Sequence, residues 1–155
     1  MYLLFFYLAL AIGVSFLCSI LEAVLLSVSH SYIAIMERKG DTSGKLLHSY
    51  KEDVDRPLSA ILSLNTIAHT VGAAGVGAQA QIVFGDAYVA ITSAVLTFLI
   101  LVLSEIIPKT IGATYWRSLA PMAAKTLRVL MFLMYPLVVM SQAITRWLEI
   151  GRAHV

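Results

Sequence analysis

Charge is scarce in this chain. Only 13% of its 155 residues are Asp, Glu, Lys or Arg, about half the ~25% usual in a soluble domain. With 59% hydrophobic residues and a mean hydropathy of +0.85, this excludes an ordinary soluble domain. The length suits one small membrane domain. Cysteine is scarcer still. Cys18 is alone in an apolar stretch, so a disulfide framework is excluded and the residue reads as a small buried hydrophobe. No Cys/His cluster is present, which disfavours zinc. A net charge of +2 is too small to indicate a nucleic-acid partner. A basic n-region is missing at the N-terminus, and the apolar run there is too long for a signal peptide. It reads as a retained transmembrane helix.

Three stretches are apolar and long enough to cross a bilayer core of roughly 30 Å, which takes about 20 residues. They cover about 2–28, 57–84 and 87–107. The third is charge-free only from Ala87 to Ser104. It is slightly short, so Glu105, Ile106 and Ile107 complete it and Glu105 falls inside the helix. Pro108 is expected to end it. The predicted class is an all-α membrane protein with three transmembrane helices and cytoplasmic juxtamembrane amphipathic helices.

Basic residues set the expected orientation. Arg38, Lys39, Lys45, Lys51 and Arg56 lie between the first two spans, and Lys109, Arg117, Lys125 and Arg128 follow the third. The turn "GDAY" between spans two and three has neither Lys nor Arg. The positive-inside rule places the N-terminus outside and the basic segments in the cytoplasm. "GDTSG" at 40–44 is a turn signal with a helix expected on either side, the alternative being a solvated loop. The juxtamembrane part runs from 110 to 149. Within it, the run Val129 to Thr145 contains Pro136 and is flanked by Arg128 and Arg146. It is expected to lie in plane or kink, leaving the C-terminus cytoplasmic, the alternative being a fourth span that would put the C-terminus outside. The tail 150–155, "IGRAHV", matches one reading frame of a common sequencing adapter. It is expected to be non-native, with domain 1–149 continuing into further sequence in the natural protein.

Ionisable groups inside spans are costly, roughly 2.5–3.5 kcal/mol on insertion scales, and often mark function. Glu22 and Glu105 are two such acids. Neither has a Lys or Arg at the same depth on its own helix; Pro108 disturbs the turn to Lys109 and that side chain can snorkel, the alternative being an intrahelical pair of Glu105 with Lys109. Ser15, Ser19 and Glu22 share one helical face, as do Asn65, His69 and Gly72. With Glu105 these faces are expected to meet in the inner half of the membrane. Hydroxyl, amide oxygen and carboxylate are hard donors of the kind magnesium prefers. The same groups could instead serve as polar glue between helices. "HTVGAAGVGAQAQ" on span two is a small-residue stretch for close helix packing. It is not a nucleotide loop, since no strand precedes it and no Lys follows.

"CSILEAVLLSVS" (18–29), "ILSLNTIAHTVGAAGVGAQA" (61–80) and "SEIIPKTIGATYW" (104–116), in that order, resemble the transmembrane domain of the CorC / cyclin M (CNNM) magnesium transporters. The resemblance spans roughly 1–149, with "EIIPK" its most specific block. It implies sodium-coupled export of Mg2+ across a bacterial cell membrane, a homodimer, and a CBS-pair domain beyond this chain. It implies Ser19, Glu22, Asn65 and Glu105 as metal ligands, with Ser15, His69 and Gly72 along the ion pathway. Ser104 and His69 stand where the family commonly has glycine and asparagine. The alternative is a membrane anchor or regulatory domain that senses magnesium without moving it. An intramembrane hydrolase using Ser19, His69 and Glu22 has no nucleophile motif behind it, so no enzymatic activity is expected.

Overall fold

The computed structural model describes residues 1–153. All regular structure among them is helical. Helix α1 (Tyr2–Ser27), apolar apart from the face that carries Ser15, Ser19 and Glu22, is the first span. It stops where Val28 turns extended. Ser29 then caps α2 (His30–Arg38), its Oγ accepting from the Tyr32 N–H at 3.2 Å. Gly40, at φ +75°, makes the turn that a side chain would strain. Asp41 next caps α3 (Thr42–Glu52) by accepting from the Ser43 N–H at 2.9 Å. The two helices expected around "GDTSG" are therefore present, and the turn occupies only its first two residues.

Helix α4 (Asp55–Phe84) is the second span. Asp55 and Pro57 sit in its first turn, where an acid meets the positive end of the helix dipole and proline needs no N–H partner. Gly85, at φ +85°, ends it. A short 3₁₀ turn, Asp86–Tyr88, leads into the third span, and Gln81 Nε2 pins it by donating to Asp86 Oδ1 at 2.6 Å.

The third span runs as α5 (Val89–Leu99), a π-helical segment (Ile100–Ile106) and α6 (Ile107–Thr114). Pro108 does not end it, contrary to expectation, and the helix continues to Thr114. The π segment explains this. The Ile107 N–H reaches back five residues to the Val102 carbonyl. That change of register puts Pro108 in the first turn of α6, where its missing N–H costs little.

Helices α7 (Trp116–Leu133) and α8 (Tyr135–Ala153) follow. An 83° bend separates them. The run 129–145 is thus kinked, with the break at Met134, and Pro136 follows in the first turn of α8, where its missing N–H costs little. Residues 150–153 of the suspected tail continue α8, while His154 and Val155 lie outside the described residues.

The best-packed core lies at one end of the bundle. Leu21, Val24 and Leu25 of α1 meet Ile33 of α2, Leu47 of α3, Ile61 of α4 and Ala120, Ala124 and Leu127 of α7 there. Helices α2, α3 and α7 form a belt around that end, tied by the Tyr32 hydroxyl donating to the Arg117 carbonyl at 3.2 Å. Away from it, large apolar side chains such as Phe5, Phe6, Ile82, Ile91 and Phe98 are exposed, as suits a surface facing lipid tails rather than water.

Close approach of α1 to its neighbours depends on small residues. A Cβ on Gly72 would collide with Ala11. One on Gly75 would meet the Tyr7 ring at 2.5 Å, and one on Gly112 would meet Ala23 Cβ at 2.7 Å and the Ile20 carbonyl at 2.9 Å. The small-residue stretch of span two does pack closely, through Gly72 and Gly75 and against α1 of its own chain. Gly77 faces open space.

Candidate ion site between the spans

Glu105 lies in the π segment of the third span. π-Bulges recur at functional sites because the wider turn re-aims side chains and loosens carbonyls. Three residues from the other two spans converge on this carboxylate. Asn65 Nδ2 donates to its Oε1 at 3.2 Å. Ser15 Oγ donates to the same oxygen at 3.4 Å. His69 Nε2 lies 2.6 Å from Ser15 Oγ and 3.6 Å from Glu105 Oε1. With Ser15 donating to the acid, the imidazole N–H donates to Ser15, giving a relay from His69 through Ser15 to Glu105.

Counted from the helix ends nearest the belt, the groups spread over about one and a half turns of depth. Glu22 is about one and a half turns before the end of α1. Asn65 is about three turns into α4, and Glu105 about two and a half turns before Thr114. All are on the belt side of the bundle.

The structure corrects the reading of Lys109. Its Nζ is 3.3 Å from Glu22 Oε2 and 3.3 Å from Glu105 Oε2, so it bridges both acids. Two features cause this. The helix continues through Pro108, which leaves Lys109 one turn beyond Glu105 on the same face. Gly112 then lets α6 lie against Ile20 and Ala23 of α1, which brings Lys109 beside Glu22. The i,i+4 spacing to Glu105 was visible in the sequence, but the link to Glu22 depends on how the helices pack. The pair of acids with one lysine leaves one net negative charge. The side chains of Glu22 and Glu105 remain partly exposed, at 24% and 21%.

Ser15 rather than Ser19 bonds Glu105. Ser19 Oγ is buried with no hydrogen-bond partner, and so is Asn65 Oδ1. Gly72 is a packing contact with Ala11. Ser104 is buried and donates its hydroxyl to the Ile100 carbonyl at 2.7 Å, one turn back along its own helix. Among the described residues no three His, Cys, Asp or Glu side chains gather as a metal site. Around Glu105 there is instead a mixed set of hydroxyl, amide, imidazole and carboxylate.

The family pattern described as "Cyclin M transmembrane N-terminal domain" matches residues 6–154. The chain belongs to the cyclin M transmembrane-domain family. Curated relatives agree. The chain is 35% identical over 129 residues to the UPF0053 protein sll1254 of Synechocystis, a match covering 83% of this chain and 37% of that protein. It is 34% identical over 127 residues to the UPF0053 inner membrane protein YfjD of Escherichia coli, covering 82% and 30%. A UPF0053 protein of Haemophilus influenzae is 31% identical over 125 residues, covering 81% and 30%. The matches thus cover about a third of these relatives' lengths. The whole polar cluster, from Ser15 to Lys109, falls inside the cyclin M match. Three spans and this family make the chain a membrane protein.

Proposed function

We propose that this domain carries magnesium across a bacterial cell membrane, with sodium as the coupling ion. One observation supports this reading above the others. Two buried oxygen acceptors, Ser19 Oγ on α1 and Asn65 Oδ1 on α4, have no partner, while α1 and the third span bring Glu22 and Glu105 together around one lysine. Buried acceptors are normally satisfied, and leaving one bare costs about 1–3 kcal/mol. A hard cation is the ligand that would use hydroxyl, amide and carboxylate oxygens together. Ser19, Glu22, Asn65 and Glu105 are its proposed ligands, and Ser15 and His69 hold Glu105 in position. The belt carries Arg38, Lys39, Lys45, Lys51, Arg117, Lys125 and Arg128, which favours a cytoplasmic belt and an external N-terminus. The working form is proposed to be a homodimer, with a regulatory CBS pair following in the complete protein.

Flux decides the matter. Proteoliposomes holding this chain should move Mg2+ faster than empty vesicles, and an opposed sodium gradient should accelerate the movement. No flux under either condition would remove the transport reading.

A second reading draws on Lys109. Its ammonium bridges both acids, so the protein can rest with its carboxylates compensated. A domain of this kind could sense magnesium for a larger protein without moving it. It would then show ion-dependent stabilisation and no flux.

Ser19→Ala separates an ion ligand from helix glue. An unpartnered buried hydroxyl adds nothing to packing, so the melting midpoint should stay level or rise slightly. The stabilisation of the protein by added Mg2+ should shrink several-fold. Equal Mg2+ stabilisation in the variant would remove Ser19 from the ligand set.

A further inference from the structure

Helix α7 has two dissimilar faces. One is core, with Ala120, Ala123, Ala124 and Leu127 fully buried. The other carries Lys125, Arg128, Val129 and Phe132, spaced to share one stripe. The cations come first along that stripe and the apolar residues follow. Val129 is 59% exposed, Phe132 81% and Leu133 61%. Lys125 and Arg128 also line a hollow of about 680 Å³ with Thr42, Lys45 and Leu46 of α3. Among the described residues none of these three cations forms an ion pair with a carboxylate. Three cations on two helices thus face one space without a counter-charge.

We propose that this hollow binds the phosphodiester headgroup of an anionic phospholipid, with an acyl chain running along Val129, Phe132 and Leu133. The cations supply charge-assisted hydrogen bonds to phosphate oxygens, and Arg128 can offer two parallel donors. The Thr42 hydroxyl adds a neutral donor. The neighbouring apolar stripe distinguishes a lipid from a free phosphate, which has nothing to place there. Phe132 is about 10 Å along the helix from Lys125, so it lies on the tail side of a headgroup seated on the cations. The position suits the interface, where basic pockets beside membrane helices hold acidic headgroups. The bend after Leu133 sets the end of the stripe. The proposal does not depend on which ion, if any, the domain carries.

The test uses the full chain in neutral detergent. Phosphatidylglycerol or phosphatidylcholine with the same acyl chains is titrated into the micelles. Thermal unfolding and native mass spectrometry report the bound lipid. Phosphatidylglycerol should raise the melting midpoint and remain bound, and phosphatidylcholine should do neither. Each cation near a membrane surface is worth about fivefold in affinity, so K45Q/K125Q/R128Q should weaken phosphatidylglycerol binding on the order of a hundredfold. All three side chains are exposed, so the fold is expected to survive, and R38Q/K39Q at the end of α2 serves as a loss of exposed charge away from the hollow. That control should retain the lipid response. Unchanged binding in the triple variant, or equal loss in the control, overturns the site. An equal shift from inorganic phosphate or from a poly-glutamate peptide overturns its assignment to lipid.

Discussion

Glu105→Gln is expected to reduce magnesium flux to the level of empty vesicles while the protein stays folded. The amide keeps the size of the acid and one of its oxygens, so Asn65 and Ser15, at 3.2 and 3.4 Å, can still donate to it. Lys109 keeps its contact with Glu22 at 3.3 Å. The loss is of one negative charge, and that charge is what offsets the cost of stripping water from a doubly charged ion. The Glu105–Lys109 pair is partly exposed, with side chains 21% and 44% accessible. Because the amide keeps the hydrogen bonds from Asn65 and Ser15 and Lys109 keeps Glu22, the melting midpoint should move by only a few degrees. Lys109→Met is the contrasting variant. It leaves Glu22 and Glu105 without their shared cation, which lowers stability in the absence of divalent ions. Added Mg2+ should then stabilise it more than it stabilises the unmodified chain. Flux and melting midpoints for both variants distinguish the roles. If Glu105 serves only to pair with Lys109, Glu105→Gln retains flux and Mg2+ does not rescue Lys109→Met.

Gly72→Leu is expected to prevent folding of the three-span bundle. Even a Cβ at this position collides with Ala11, and Gly72 is buried where α4 meets α1, so the first added carbon already forces the two helices apart. Overpacking of a rigid contact typically costs about 1–3 kcal/mol, and a backbone contact between helices in a membrane leaves less room to relax. Gly75→Leu should be milder, since the Tyr7 ring that it meets is a side chain near the exposed end of α1 and can swing away. Gly77→Leu meets nothing within the chain. It should therefore fold normally and report only on contacts between copies. Yield, monodispersity and melting midpoint for the three variants test this ranking. Wild-type behaviour of Gly72→Leu would show that the helices do not pack as described. Loss of the dimer in Gly77→Leu with the fold intact would place that glycine between protomers.

Much of this protein was legible in its sequence because the signals are local. Hydropathy over about 20 residues locates a span, and α1 and α4 match their expected bounds within two residues at each end. Turn chemistry at Gly40 and Asp41 marks the boundary between two helices of the belt. An acid in an apolar run is visible without any structure, and Glu22 and Glu105 were found that way. Helical spacing also placed Ser15, Asn65 and His69 on faces that could meet.

Tertiary structure decided which partners those side chains take. Spacing states which residues share a face, but not how far one helix is rotated or shifted against the next. That is set by contacts such as Gly72 on Ala11 and Gly112 on Ile20 and Ala23. Ser15 and Ser19 share a face about one turn apart, so a shift of about 6 Å along the helix axis selects Ser15 over Ser19 as the group that bonds Glu105. The π segment was equally invisible, because it arises where the chain must continue a helix through Pro108. Once it has formed, Lys109 stays on the helix and α6 carries it to Glu22. A proline that locally reads as a stop signal thus became, through its neighbours, the point at which the third span turns its lysine onto both acids.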